Sequence, residues 1–507
     1  MSEATVPTIT CGARVRRQPE AHARAGRLAA ALVAVGVGRG RRVAVVLRND
    51  IEFLEIGLGV AACGANPVPI NTRWKAGEMA HVLADAEIRV VFAHTEFLPT
   101  VEAACAQANR APRIIEVEMP GELLRELGRP KTPLSGRYPT LEQWIAEHPE
   151  PLGYVEGAIS DSMGLIYTSG TTGKPKGVAR ERMTPEQLLA IAGGTAQRMG
   201  LAPGGRMLVA GPLYHTSPNA VAVLALRMGT DITILPRWDA EAFLKAVHQH
   251  RIQHAKIVPT MLSRLLSLPA EVRARYDVSS LTHLIHSAAP CPPAVKRAAI
   301  EWFGAALWEF YGCSEAGAIT WISAAEWLEK SGSVGRPVDG SAVRILDDDG
   351  AELPPGVIGH VHLRGADYWP AFRYLNHPAT QSSPIPGMIT VGDTGYLDAD
   401  GWLYLTGRSA EIIISGGVNI YPAEIENALM ALDGIEDAAV YGVPSSGDLG
   451  EAVHAQVVAR PGITLHPSHI RNRLAEQLAN YKLPEVRIVD RLPRDDSGKL
   501  YKRQLLE

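Results

Sequence analysis

The chain has 507 residues, 46% of them hydrophobic and 21% charged, with a net charge of −4. That is enough apolar material for more than one domain, and the near-neutral balance excludes the broad basic footprint of a nucleic-acid binder. Cys11, Cys63, Cys105, Cys291 and Cys313 are scattered, odd in number and free of CxxC or CxxH spacing, which excludes a disulfide framework and a zinc site and points to a reducing, cytoplasmic setting.

In chain order, the opening MSEATVPTITCGARVRR has no apolar run behind its charges and is a poor secretory signal. The most apolar stretch, Leu28–Gly38, is too short to span a bilayer and reads as a buried amphipathic helix, so no transmembrane segment is expected. Arg41–Asn49 is a β-branched run with the pattern of a buried strand, Ile51–Ala65 has helical spacing, and Asn66–Asn71 and Ile88–His94 are further strands. This alternation implies parallel sheet with crossover helices. Ala111–Pro151, with seven prolines, reads as irregular surface chain. The middle repeats the alternation in RMLVAGPLYH, DITILPRW and HLIHSAAP, with a helix over Asp239–Arg251. From Gly335 a strand, Asp-Gly turn and strand mark a β-rich subdomain. After Gly407 a β-α-β-β-α order marks a small α+β domain of about 100 residues.

One loop cannot be a buried strand or helix. YTSGTTGKPKG, Tyr167–Gly177, follows a strand and carries Gly170, Gly173 and Gly177, which permit close backbone approach. Consecutive amides can form an anion nest. Thr168, Ser169, Thr171 and Thr172 add hydroxyls, and Lys174 and Lys176 add charge, a set that suits a polyphosphate. It is not a Walker loop: only Thr171 and Thr172 separate Gly170 from Gly173-Lys174, and Pro175 blocks helix continuation.

LIYTSGTTGKPKG resembles the phosphate loop of the adenylate-forming superfamily, which includes acyl-CoA synthetases, luciferases and peptide-synthetase adenylation domains. Four further motifs follow in the family's order: EFYGCSEAG (Glu309–Gly317), VGDTGYLDADGWLYLTGR (Val391–Arg408), ISGGVNIYPAEIE (Ile414–Glu426) and LPRDDSGKLYKR (Leu492–Arg503). The resemblance implies an α/β fold. Residues 1–407 would form a large N-terminal domain of parallel sheets with crossover helices plus a β-rich subdomain. Residues 408–507 would form a small mobile α+β domain carrying a catalytic lysine.

It also implies an activity: a carboxylic acid is joined to AMP from ATP, then passed to a thiol. By resemblance, Glu315 holds magnesium and Thr168 contacts phosphate or metal-bound water. Asp393 accepts from the ribose hydroxyls, and Tyr311 with Ser287, Ala288, Ala289 and Gly312 lines the adenine. Ser314 replaces the family's commoner threonine. Arg408 reaches ribose or phosphate at the domain boundary, and Lys499 meets the α-phosphate and the substrate carboxylate. Gly416 and Gly417 line a tunnel for the pantetheine of coenzyme A. PLYHTSPN (Pro212–Asn219) resembles the loop between acyl pocket and nucleotide, with His215 beside the carboxylate. Blander roles compete: core packing for Tyr311 and His215, an Asx turn for Asp393, and a solvated position for Glu315 and Lys499.

No acidic residue lies between Gly211 and Met228 to meet an amino group, and Gly312, Gly317 and Ala318 are small, so the expected acid is hydrophobic: fatty, aryl or alicyclic. The expected partners are thus this acid, ATP and coenzyme A, with magnesium, and a homodimer is compatible. Light-emitting oxygen chemistry, transfer to a carrier protein and non-catalytic nucleotide binding are the competing classes. Two departures from the family stand out. Ala410 occupies the hinge position usually held by aspartate or lysine, and CGARVRRQPEAHARAGRLAA replaces the usual opening hairpin and the segment after it.

Overall fold

The computed structural model describes residues 6–153, 165–168, 175–376, 383–415, 418–445, 451–495, 498 and 500–506. The chain divides into two compact units. One comprises Met1–Lys256, Asp277–Leu281 and Tyr368–Thr380; the other comprises Ile257–Tyr276, Thr282–Asp367 and Gln381–Glu507.

The first unit opens with a hairpin after all: β1 (Thr8–Cys11) pairs antiparallel with β2 (Arg14–Arg17), turning through Gly12. The Arg-rich stretch hid it, because β2 is Arg-Val-Arg-Arg on a half-exposed strand with no apolar alternation. The expected alternation then holds. Strands β3 (Arg42–Val46), β4 (Asn66–Pro69), β5 (Val90–His94) and β6 (Arg113–Val117) form a parallel sheet in the order β4-β3-β5-β6. Helices Ile51–Ala62, Ala76–Asp85 and Leu98–Ala108 connect them. β5 is buried at every position, as a strand covered on both faces must be.

The stretch Ala111–Pro151 is more ordered than its prolines suggested. It holds β6 and short helices over Gly121–Glu126 and Leu141–Ala146. Pro112, Pro120 and Pro139 stand just outside these elements, where a missing N–H costs nothing. The last helix is started by a reciprocal Thr140–Gln143 cap.

Further strands of this unit, β7 (Leu165–Thr168), β8 (Lys176–Arg180) and β18 (Phe372–Tyr374), are antiparallel. β9 (Arg206–Val209), β10 (Asp231–Ile234) and β11 (His254–Ile257) run parallel as β11-β9-β10, and β1 extends the row beside β10. Helix Ala240–His250, capped by Asp239 and closed by Arg251 in the left-handed region, matches its expected span.

In the second unit, β12 (His283–His286) lies parallel to β13 (Leu307–Cys313), which continues antiparallel into β14 (Gly317–Ser323) and β15 (Arg336–Pro337). The β-rich segment is the antiparallel row of β16 (Ala342–Leu346), β17 (Gly359–Arg364), β19 (Ile389–Leu397) and β20 (Leu403–Arg408). Val343, Ile345, Val361, Leu363 and Leu403 form its core. Beyond Arg408 come the hairpin β21 (Ile413–Ser415) and β22 (Val418–Ile420), and the sheet β23 (Ile435–Pro444), β24 (Glu451–Ala459) and β25 (Glu485–Ile488). Helices Pro422–Met430 and Pro467–Ala475 pack here over a separate core that includes Ile425, Leu429, Val440, Val457 and Leu474. Among the described residues no helix is long and apolar enough to cross a membrane.

The hairpin is tied to helix Ile51–Ala62 by charge. Arg14 donates to Asp50 at 2.7 Å and also to Glu52, while Arg16 meets Glu55 at 3.3 Å and Arg24 meets it at 2.9 Å. Asp50 and Glu55 are buried, and burial pushes both carboxyls up. Arg14→Met would strand the buried Asp50 carboxylate and leave Glu52 with Arg16 alone at 3.8 Å. It is expected to cost about 3–5 kcal/mol, read as a lowered urea midpoint with the hairpin the first segment to lose amide protection.

Candidate active site

In the second unit, neighbouring strands bring Tyr311, Asp393 and Arg408 together. The Tyr311 hydroxyl, on β13, donates to Asp393 Oδ2 at 2.6 Å. Arg408 Nε lies 3.2 Å from Asp393 Oδ1, because Asp393 on β19 and Arg408 on β20 are direct cross-strand partners. Asp393 is only 8% exposed. Burial pushes its carboxyl up, while Arg408 and the Tyr311 hydroxyl pull it down. Burial, and then Asp393, raise the Tyr311 phenol well above its usual range, so it stays a proton donor. The result is an acidic side chain with fixed orientation at the rim of a sheet, and neither a plain Asx turn nor apolar packing describes the pair.

Beside it, β12 ends at His286 and the chain runs into Ser287, which is buried, and Ala288, which takes φ +76°. An alanine in this left-handed region costs about 1–2 kcal/mol, so the surroundings impose the bend. Lys296 pairs with Glu309, the register partner of His286 on β13, and His286 Nε2 lies 3.8 Å from the same carboxylate. All three are buried. Burial and the Lys296 charge hold His286 well below its usual pKa, hence neutral. Ala288 is exposed and Ala289 after it is half-buried.

Gly312 has a backbone reason to be glycine. The β13–β14 register shifts between Tyr311 and Gly312, and a Cβ at Gly312 would collide with the Gly317 carbonyl. Gly317 itself takes φ +77°. Small residues here therefore serve close strand approach as well as any pocket. Glu315, in the turn after β13 beside Ser314, is 7% exposed and not a solvated glutamate. Among the described residues no three ligating side chains cluster for a metal. A magnesium ion would fit here by using one carboxylate and phosphate oxygens, the donor set it favours with nucleotides.

Near the C-terminus, Gly498 takes φ +78°, and a Cβ there would collide with the Thr260 hydroxyl. The chain next to Lys499 thus runs against the start of helix Pro259–Leu266. Lys499 itself lies outside the described residues, as do Ser169, Gly170, Thr171, Thr172, Gly173, Lys174, Gly416 and Gly417.

In the first unit, β7 and β8 pair antiparallel with Thr168 opposite Lys176, which closes the base of the Tyr167–Gly177 loop. That base is pinned by side chains the sequence did not suggest. Tyr167 donates to Asp85 at 2.6 Å, Asn376 reaches the same carboxylate at 3.1 Å, and His81 Nε2 donates to the Pro175 carbonyl at 3.0 Å. The Lys176 ammonium stands 5.6 Å from the centre of the Tyr374 ring. His215 precedes helix Thr216–Arg227, its ring 4.7 Å from that of Tyr214. The loop before it hangs on the buried side chain of Asn49. Asn49 donates to Gly211 and Leu235 carbonyls at 3.0 Å each and accepts from the Leu213 amide at 2.7 Å.

Lys256 is another residue that the sequence did not single out, although its signal was a charge inside the apolar run HAKIVP. It sits on β11, buried, and donates to the Ser217 hydroxyl in the first turn of helix Thr216–Arg227.

These features define an adenylate-forming enzyme fold. The chain belongs to the AMP-binding enzyme family: residues 19–371 match the model of the AMP-binding enzyme and residues 424–499 that of its C-terminal domain. It is an ATP-dependent acid–thiol ligase. It is 31% identical to a fatty acid–[acyl-carrier-protein] ligase of Streptomyces coeruleorubidus, over 99% of this chain and 93% of the relative. It is also 31% identical to a long-chain-fatty-acid–CoA ligase of Mycobacterium tuberculosis, over 96% and 92%. Among solved structures, amide bond synthetase McbA from Marinactinospora thermotolerans superposes with a TM-score of 0.83 at 27% identity, covering 99% of this chain and 97% of that one.

Burial lowers the Lys256 pKa to about 7 from the 10.5 of a free lysine. Between those values the unfolded chain holds a proton that the folded chain lacks, so this residue's burial penalty is full below pH 7 and fades as pH rises. Lys256→Met is expected to stabilise the protein most at or below pH 7. The gain should shrink by up to about 1.4 kcal/mol per pH unit above that. Urea unfolding of both proteins at pH 7, 8.5 and 10 measures it, and a pH-independent gap would contradict the assignment.

Proposed function

We propose that the protein is an acyl-CoA synthetase acting on a hydrophobic carboxylic acid, fatty, aryl or alicyclic. The acid's carboxylate oxygen attacks the α-phosphorus of ATP, the bond to the bridging oxygen breaks, and pyrophosphate leaves. The thiolate of coenzyme A then attacks the acyl carbonyl and AMP departs. The observation that carries this reading is the buried Asp393 carboxylate, oriented by Tyr311 and Arg408 in a chain of the AMP-binding family. A fixed acceptor is what two ribose hydroxyls need, and it comes without reorganisation on binding.

In this reading Thr168–Lys174 and Lys176 grip the phosphates, Ser287–Ala289, Tyr311 and Gly312 border the adenine, and Ser314 stands beside the metal carboxylate. Arg408 orients Asp393, and His215 packs beside the substrate carboxylate. Magnesium, held by Glu315 and phosphate oxygens with Thr168 nearby, would neutralise charge on the triphosphate. Residues 408–507 act as a domain that presents Lys499 for the first step and the glycines Gly416 and Gly417 for the second, turning about Ala410. A carrier-protein phosphopantetheine is the alternative acceptor, favoured by the likeness to an acyl-carrier-protein ligase. ATP–pyrophosphate exchange over a panel of acids, repeated with coenzyme A and with holo carrier protein, tests the reading. It fails if no acid supports exchange.

Asp393→Ala is expected to raise the KM for ATP about 10- to 100-fold, as loss of hydrogen bonds to a charged group implies, and Tyr311→Phe about fivefold. Glu315→Gln should cut exchange and raise the magnesium requirement. Unchanged ATP dependence in all three variants would remove the nucleotide assignment.

Lys499→Ala should abolish adenylate formation, by about 10²–10³ in rate or more, yet still convert supplied acyl adenylate to acyl-CoA. Gly416→Leu should do the reverse, releasing pyrophosphate with little thioester. Equal losses in both half-reactions would refute the division between the two conformations.

A further inference from the structure

The chain around Gly498 is held by side chains to which the adenylation reading gives no role. Leu492 and Leu500 pack with Val458 and Leu505 in a small apolar core. The seven residues between them, Pro493–Lys499, include no Leu, Ile, Val, Met or aromatic residue, and a segment so near a terminus frays unless it is tied down. Arg494 ties it. Its Nε and Nη2 each lie 2.7 Å from an oxygen of Asp437, and its Nη1 donates to the Gly498 carbonyl at 2.9 Å. The Arg494 and Leu500 backbones bridge as antiparallel partners, and the Gly498 amide donates to the Asp495 carbonyl at 2.9 Å.

Asp437 is itself fixed. It stands on β23 where the register against β24 shifts, and a bulge of this kind re-aims a side chain. Its Oδ1 also accepts from the Ala438 amide at 2.9 Å. The choice of arginine is specific. A two-pronged arginine–carboxylate pair sets direction as well as distance, which a lysine point charge does not. With the fork on Asp437, the remaining nitrogen is aimed at one backbone oxygen, in the residue before Lys499. On the far side, Gly498 takes φ +78° against Thr260 at the start of helix Pro259–Leu266. Lys502 meets Glu426 at 2.9 Å and Glu411 at 3.3 Å.

We propose that Arg494, anchored on Asp437, is a positioning residue for adenylation: it fixes the backbone at Gly498 and thereby the origin from which the Lys499 side chain works. This rests on the role given to Lys499 in the function proposed above and deepens it. Arg494 takes no part in bond making. A shift of about 1 Å in a group that must meet the α-phosphate is enough to cost about 10²-fold in rate. The effect therefore belongs in the first half-reaction and vanishes when Lys499 is removed.

The test measures the two half-reactions separately on the full chain. Adenylation is read as ATP–pyrophosphate exchange with the best acid of a panel of straight-chain fatty and aryl acids. The second step is read as transfer of supplied acyl adenylate to coenzyme A or holo carrier protein. Arg494→Met should slow adenylation roughly 10- to 100-fold in kcat. The KM for ATP and the rate of the second step should stay within about twofold, the pattern of an interaction felt only in one transition state. Arg494→Lys, which keeps the charge without the fork, should recover only part of the loss, and Asp437→Asn should share it. Adding Arg494→Met to Lys499→Ala should slow adenylation no further, because the two residues act as one unit. Equal losses in both half-reactions, or a further loss in the double variant, would mark a merely structural pair and overturn the proposal. So would normal adenylation in Arg494→Met. Each of these results leaves the acid-activating function standing. Normal adenylation in Lys499→Ala, or exchange with no acid at all, overturns that reading and the role of Arg494 together. The second step reports folding in every variant, and if Arg494→Met does not fold, Arg494→Lys and Asp437→Asn decide the matter.

Discussion

The Asp393 carboxylate is the constraint on which the second unit's site depends. A buried carboxylate is expensive to desolvate, by several kcal/mol even after relaxation, and Asp393 is held by two donors from two other strands. Tyr311 ties it to the row of β13, and Arg408 ties it to the end of β20. The neighbouring backbone is tied as well: the Gly392 amide donates to the Thr390 hydroxyl, and the Ser409 hydroxyl donates to the Gly392 carbonyl, each at 3.2 Å. Small changes in strand register would break the links to Tyr311, Arg408 and Ser409 together. The antiparallel row of β19 and β20 therefore does more than fill the β-rich segment; it sets where an acceptor points.

The same economy recurs away from this carboxylate. Asn49 uses its side-chain amide on three backbone groups of separate strands and loops. Asp85 is shared by Tyr167 and Asn376 at the foot of the Tyr167–Gly177 loop. Lys296 and Glu309 pair beside His286, two residues before the left-handed bend at Ala288. In each case the buried polar group is satisfied by partners distant in sequence, and the loop it supports is the part whose composition suits chemistry. Rigid polar anchors at the base of a loop are how a site keeps its geometry.

Much of the fold was legible because it rests on local patterns. β3, β5 and helix Ile51–Ala62 followed from β-branched runs and 3.6-residue spacing, and helix Ala240–His250 from its place between strand signals. Two stretches were misread. β2 escaped because its arginines find partners only when helix Ile51–Ala62 is folded beside it. β6 and the helices after it escaped because prolines that break elements look the same as prolines that border them until the boundaries are known. The motif residues Tyr311, Asp393 and Arg408 were singled out by type and order, but their mutual contact was not.

What the chain determined by itself was chemistry and class: a glycine- and hydroxyl-rich loop with two lysines, an ordered set of five motifs, and an apolar content sufficient for several sheets. These depend on residue type and short spacing, which a linear string preserves. What only the tertiary structure decided was partnership. Tyr311 and Asp393 are 82 residues apart and Lys256 and Ser217 are 39 apart, and no local rule says that one will be buried against the other. Burial and pairing arise when strands from different parts of the chain are laid side by side, because desolvation acts on what surrounds a group in space and not on its neighbours in sequence.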